Sequence, residues 1–232
     1  MVPGKALTGV LVLLGVLGTW AAAAANTFTD DFESYAAGSF PSANWSDASG
    51  VAPYGTLPPP NPSCTVGVTT DAFGQPTQAL HLDASWIGAA SGIYRAVPTA
   101  QQYSLSMDLR TDTFAQGAQS DPSDWPWMLG VSKYDANLQP GGWNSLQIYG
   151  TDLDHDFRAY AINASAGEQD LPLGLAEEAG VWYRVQIDVD AQAGSIRNRV
   201  WSIATGTLLV DATVTASGWL PADGVFDSVT IN

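Results

Sequence analysis

The clearest alternation in the chain is "VWYRVQIDVD" (181–190): Val181, Tyr183, Val185, Ile187 and Val189 point one way, and Trp182, Arg184, Gln186, Asp188 and Asp190 the other. A period of two with one apolar and one polar side predicts a strand in an antiparallel sheet that covers a core on one face and meets water on the other. Similar segments are "TQALHLDAS" (77–85), "GIYRAV" (92–97), "YSLSMDLRTD" (103–112), "WMLGVSKY" (127–134) and "WNSLQIYG" (143–150), followed by "FRAYAIN" (157–163), "SIRNRVWSI" (195–203), "TLLVDATV" (207–214) and "GVFDSVTI" (224–231). "CTVGVTT" (64–70) also reads as a strand, with Cys64 as a small buried apolar residue. No stretch after residue 26 sustains a helical period, and one helical turn is expected at "LGLAEEAG" (173–180). So many short strands without helical crossovers predict an all-β fold of two packed antiparallel sheets.

The organisation is simple. "MVPGKALTGVLVLLGVLGTWAAAAAN" pairs one lysine with an apolar run too short to span a bilayer comfortably and a closing alanine block, which reads as a secretory signal peptide over residues 1–25. Residues 26–232 are expected to form one domain, because the proline-rich "GVAPYGTLPPPNPS" (50–63) has the length of a loop and no internal repeat interrupts the rest. The single cysteine excludes an intrachain disulfide and a thiolate metal cluster.

Charge narrows the partners. The net charge is −15 with only eight Lys and Arg, one of them Lys5 in the leader, so nucleic acid and anionic membranes are not expected partners. No second stretch is long enough for membrane insertion after signal removal, and a monomer outside the cytoplasm is expected.

Two stretches carry a resemblance. "TFTDDFESYAAGSFPSANW" is similar to the opening of concanavalin-A-like (laminin-G-like) jelly rolls, where an F-x-D-D-F-E strand leads into a G-x-x-P-x-x-W turn. "GVWYRVQIDVDAQAGSIRNRVWSIATGTLLVD" resembles the penultimate hairpin of bacterial members, and "GVFDSVTIN" their closing strand. The resemblance spans the mature chain and marks a fold more specifically than an activity, since the same sandwich carries lectins, carbohydrate-binding modules, glycoside hydrolases and polysaccharide lyases.

The enzyme templates of that family fail at their reacting residues. The glucanase branch uses Glu-x-Asp-x-x-Glu or Glu-x-Asp-x-Glu, whereas the four glutamates here, Glu33, Glu168, Glu177 and Glu178, form no alternating acidic pattern. The alginate-lyase branch uses a Gln-x-His strand; "SLQIYG" supplies Gln147 but places Tyr149 where the histidine would stand. There is no Gly-x-Ser-x-Gly elbow, His-Glu-x-x-His or phosphate loop, and His81 between Leu80 and Leu82 is expected to point outward from a strand.

Three features remain for ligand chemistry. "TDLDHDF" sets Asp152, Asp154 and Asp156 two apart, which suits a turn between strands better than a regular strand, and the run reads as a solvated loop, a cation or sugar-hydroxyl contact, or a catalytic carboxylate. Trp125, Trp127 and Trp143 border loops at strand ends, where an indole is either packing or a flat partner for the C–H face of a pyranose; Pro126 makes the first two diverge. Tyr149, Arg158 and Tyr160 are candidates from central strands. The resemblance further implies a structural calcium held near Asp31, Gly50 and Asp227. The reading is a secreted sandwich that binds polysaccharide without cleaving it. Its alternatives are a divergent glycoside hydrolase or polysaccharide lyase using Asp152, Asp154 or Asp156 with Tyr149 and Arg158, and an adhesion module whose partner is protein.

Overall fold

The computed structural model describes residues 28–47, 64–82, 93–112, 127–134, 143–150, 155–163, 167–215 and 226–231. Thirteen strands are found there: β1 (Ser46–Asp47), β2 (Cys64–Thr70), β3 (Pro76–Leu82), β4 (Ile93–Ala100), β5 (Gln102–Arg110), β6 (Met128–Tyr134), β7 (Trp143–Gly150), β8 (Asp156–Asn163), β9 (Gly167–Ala176), β10 (Trp182–Asp190), β11 (Ser195–Ser202), β12 (Leu208–Thr215) and β13 (Phe226–Ile231). Seven form one sheet in the order β1-β4-β13-β6-β7-β8-β9, four form a second in the order β12-β11-β10-β5, and β2 pairs with β3 as a hairpin. Every pairing is antiparallel, giving the two-sheet sandwich expected from the alternation, in the jelly-roll class that the resemblance implies.

The best sequence segment follows its period from Tyr183 onward; Trp182, expected to meet water, is instead buried, its Nε1 donating to the Thr70 carbonyl at 2.9 Å. In β10 Tyr183, Val185, Ile187 and Val189 are buried, while Arg184, Gln186, Asp188 and Asp190 are partly exposed. Its neighbours repeat the pattern: Leu105, Met107 and Leu109 in β5, and Ile196 and Val200 in β11, join the same core. From the opposing sheet come Leu129 and Val131 of β6, Ile148 of β7, Phe157 and Ala161 of β8, and Val229 and Ile231 of β13. Aromatic rings link the layers, Phe157 edge-on to Tyr183 at 5.1 Å and Tyr103 to Phe226 at 6.3 Å. Each such ring pair adds roughly 0.5–1.5 kcal/mol beyond the area it buries.

The opening motif is a hydrogen-bonded turn. Buried Asp30 accepts from the Phe32 amide at 3.0 Å, the Tyr35 hydroxyl at 2.8 Å, Asn44 Nδ2 at 3.2 Å and Trp45 Nε1 at 3.0 Å, which fixes Trp45 in the core. Cys64 is fully buried in β2, and His81 is exposed on β3 with its ring over Gly67.

One expectation is overturned. The helical turn at 173–180 is instead the end of β9 followed by a turn. Leu171, Leu173 and Leu175 alternate inward along β9, and Leu173 and Leu175 pack on the core. Pro172 is tolerated because β9 is the edge of its sheet and pairs on one side only.

Candidate functional site

The two sheets turn different chemistry away from the core. On the four-stranded sheet the outward side chains of β5, β10, β11 and β12 form a charge ladder. Arg184 grips Asp108 through two bonds, Nε–Oδ1 at 2.6 Å and Nη2–Oδ2 at 2.7 Å, and Arg197 grips Asp211 likewise at 2.7 and 2.6 Å. Arg199 is bonded to Asp188, and Ser104 and Gln186 also donate to that aspartate. Trp201, half-buried, lies beneath the Arg199 guanidinium. These groups pair with one another, as a structural outer face would, leaving only the buried Arg199 Nε of this ladder without a hydrogen-bond partner among the described residues.

The seven-stranded sheet differs. Along β8, Phe157, Ala159 and Ala161 are buried on the core side, so Arg158 and Tyr160 project from the opposite face. Register brings Tyr149 of β7 beside Arg158, and Met128 of β6 beside Tyr149. Met128, Tyr149 and Tyr160 make a second buried cluster separate from the main core, with the two phenol rings edge-to-face at 5.7 Å. Asp170 of β9 stands opposite Tyr160, and its Oδ1 receives Arg158 Nε at 2.8 Å.

This arrangement has a clear electrostatic character. Burial, and then the hydrogen bond and negative charge of Asp170, push the Tyr149 phenol well above its ordinary value. The bond to Asp170 raises Arg158 as well, against the opposing effect of burial. Tyr149 therefore keeps its proton at neutral pH and serves as a hydrogen-bond donor; a proton-abstracting base would need the opposite shift. Asp170 remains the most open member, its side chain 40% exposed against 17% for Arg158.

A second arrangement lies at the end of the strands that carry this face. The Glu177 carboxylate, just after β9, is buried and accepts from Trp127 Nε1 at 2.9 Å and from the Thr111 hydroxyl. The Glu177 amide donates to the His155 carbonyl before β8, so one loop residue ties together segments next to β5, β6 and β8. Gly150, which ends β7, is required here: a Cβ would meet Trp127 Nε1 at 2.6 Å and Glu177 Oε2 at 2.7 Å. His155 adopts a left-handed φ of 55° as the chain enters β8.

The tryptophans separate accordingly. Trp127 is a core residue, packed on Phe157 at 5.5 Å and held by Glu177, and so is withdrawn from the ligand surface proposed for it. Trp125 lies outside the described residues, and Trp143 is described only as the first position of β7, paired with Tyr134. Tyr149, Arg158 and Tyr160 are brought together on one face. Asp152 and Asp154 lie outside the described residues, and Asp156 opens β8. Of the calcium set, Gly50 lies outside the described residues, as does the side chain of Asp227 on β13. The third member, Asp31, turns its carboxylate to the Glu33 amide at 3.1 Å. No group of three His, Cys, Asp or Glu is placed to hold a metal among the described residues.

Two members of this chemistry were missed in the sequence. Asp170 sits in "GEQDLPLGLA", where proline and glycine obscure a strand, and Glu177 has no periodic signal because its partners lie 50 and 66 positions away.

No family model matches the chain, and comparison with curated proteins gives no match. Among solved structures, the chain is similar to an endo-1,3-β-glucanase from Streptomyces sioyaensis at 15% identity and TM-score 0.48, with 88% of this chain and 83% of that one covered. It is similar to a winged bean acidic lectin complexed with methyl-α-D-galactose at 13% identity and TM-score 0.43, covering 71% of this chain and 80% of the lectin. A match to a sialidase, at 15% identity and TM-score 0.34, covers 61% of this chain and only 10% of that much longer protein. Likeness at this level carries no activity or ligand across, and the site rests on its own side chains.

Proposed function

We propose that this chain is a secreted carbohydrate-binding sandwich that holds polysaccharide on the outer face of the seven-stranded sheet and does not cleave it. One observation carries the reading: a second cluster of aromatics, Tyr149 and Tyr160 with Met128, lies on the face away from the core and is edged by the Arg158–Asp170 pair. The edge-to-face rings give a rigid, buried backing, and the more open Arg158–Asp170 pair beside it presents both donors and acceptors for sugar hydroxyls. The resemblance to concanavalin-A-like domains supports the same class of ligand.

Cleavage is disfavoured by the state of the groups present. Glycoside hydrolysis requires two carboxylates opposed across the bond, one kept protonated, and Asp170 is committed to Arg158 and Tyr149. Lyase chemistry requires a base poised near neutral pH, and Tyr149 is driven the other way. The divergent enzyme remains the rival because Tyr149 and Arg158, the residues assigned to it, are cross-strand neighbours.

The deciding experiment is a panel of insoluble and soluble polysaccharides, reading retention of the protein alongside release of reducing or unsaturated ends. Retention without product is expected. Product that accumulates with time and disappears in Arg158→Ala would overturn the binding-only reading, and retention on no polysaccharide would overturn it altogether.

A further inference from the structure

The destination of the basic residues decides which polysaccharides this face can accept. The chain has eight Lys and Arg against a net charge of −15. Five of its six arginines are bound to aspartates: Arg158 to Asp170 at 2.8 Å, Arg110 to Asp112, Arg184 to Asp108 and Arg197 to Asp211 each at 2.6 Å, and Arg199 to Asp188. The sixth, Arg95, lies flat over the Phe28 ring at 3.7 Å and donates to the Asn44 carbonyl. Among the described residues, therefore, five arginines are each neutralised by an aspartate, and Arg95, on β4, is held by a ring and a carbonyl.

Polyuronates and sulfated glycans are recognised through guanidinium or ammonium groups whose charge is open to the anion, best in a two-bond fork. Among the described residues the cation of the proposed site is Arg158, and Asp170 and the Tyr149 oxygen already surround it. A second anion would meet the exposed Asp170 carboxylate and the field of a strongly acidic protein before it reached the guanidinium. Uncharged sugar hydroxyls face no such barrier. Each both donates and accepts, and the pair offers them the acceptor oxygens of Asp170 next to the N–H groups of Arg158.

We propose that the ligand is an uncharged polysaccharide, and that Asp170 sets this selectivity by neutralising Arg158. The proposal rests on the carbohydrate-binding reading and deepens it. Asp170 is suited to the role because it stands on the edge strand β9, 40% exposed, where it can screen Arg158 without being needed for core packing.

The test compares wild type, Asp170→Asn and Arg158→Gln for retention by neutral polymers (β-glucan, galactomannan, xylan) and by polyuronates (polygalacturonate, alginate). Wild type should be retained by at least one neutral polymer and by neither polyuronate. Asp170→Asn, which keeps the side-chain shape and uncovers the cation, should gain about tenfold for a polyuronate at low ionic strength, and about 0.5 M salt should erase the gain. Arg158→Gln should gain nothing. Thermal unfolding of each variant confirms that it is folded, and Asp170→Ala replaces Asp170→Asn if the latter is not. Wild-type preference for a polyuronate would overturn the selectivity proposal while leaving carbohydrate binding intact, as would folded Asp170 variants that gain no polyuronate affinity. Failure of wild type on every polymer would remove the binding reading and this proposal together.

Discussion

Asn198 is a polar residue in a place built for an aliphatic one. It stands between Ile196 and Val200 on the inward side of β11, and all three are fully buried. Its Nδ2 reaches only the Ile196 carbonyl at 3.5 Å, the outer limit of a hydrogen bond, and its Oδ1 has no partner. Leaving a buried acceptor unmade costs about 1–3 kcal/mol. Leucine has the same number and branching of side-chain heavy atoms, so Asn198→Leu removes the orphaned acceptor; its methyls are bulkier than an amide oxygen and nitrogen, and the added volume returns about 1 kcal/mol of packing strain. The expected net effect is stabilisation by up to about 2 kcal/mol, or a rise in Tm of up to about 8 °C for a chain of this size. Urea unfolding followed by tryptophan fluorescence measures it as a higher midpoint at unchanged slope. A lower midpoint would show that Asn198 is well hydrogen-bonded in solution and would refute the reasoning.

Two further outcomes follow from other parts of the fold. Gly150→Ala forces a methyl against Trp127 and Glu177, both buried, and should destabilise by about 1–3 kcal/mol in the same unfolding assay, with a change in the Trp127 emission; an unchanged midpoint would mean the strand end relaxes without cost. The Tyr35 phenol is raised to about 12, first by burial and then by its bond to Asp30 and that carboxylate's charge. A folded value above the unfolded one of about 10 contributes stability that is complete below pH 10 and lost as pH climbs from 10 toward 12, so unfolding midpoints should fall across that window and Tyr35→Phe should flatten part of the decline.

Most strands were legible because one face of each is buried, and a half-buried strand has to alternate. The alternation of β10 holds from Tyr183 to Asp190, Trp182 alone of its outward set being buried, and β5, β7, β8 and β11 lie within a residue or two of their expected bounds. β9 was hidden because an edge strand tolerates Pro172 and a left-handed Gly174, both of which read as turn signals when strand order is unknown. The candidate site was partly visible: Tyr149, Arg158 and Tyr160 have the right alternation in their own strands. Their meeting with Asp170 depends on the register of β8 with β9, which shifts between Asp156 and Arg158, and no local pattern encodes that shift. Trp127 illustrates the reverse problem. Its loop-edge position next to Pro126 suited a surface as well as a core, and only the buried Glu177 acceptor, contributed 50 positions away, decides for the core.

The claim on which the functional reading turns is that ligand meets the outer face of the seven-stranded sheet and leaves the charge ladder of the other sheet untouched. Affinity electrophoresis in the polysaccharide that best retains the wild type, run with Arg158→Ala and with Arg197→Ala, tests it most directly. The expected result is a loss of about tenfold or more for Arg158→Ala, consistent with removing a hydrogen-bonding group at the centre of a site, and wild-type migration for Arg197→Ala. Equal retention of Arg158→Ala and wild type, or a loss confined to Arg197→Ala, would contradict it.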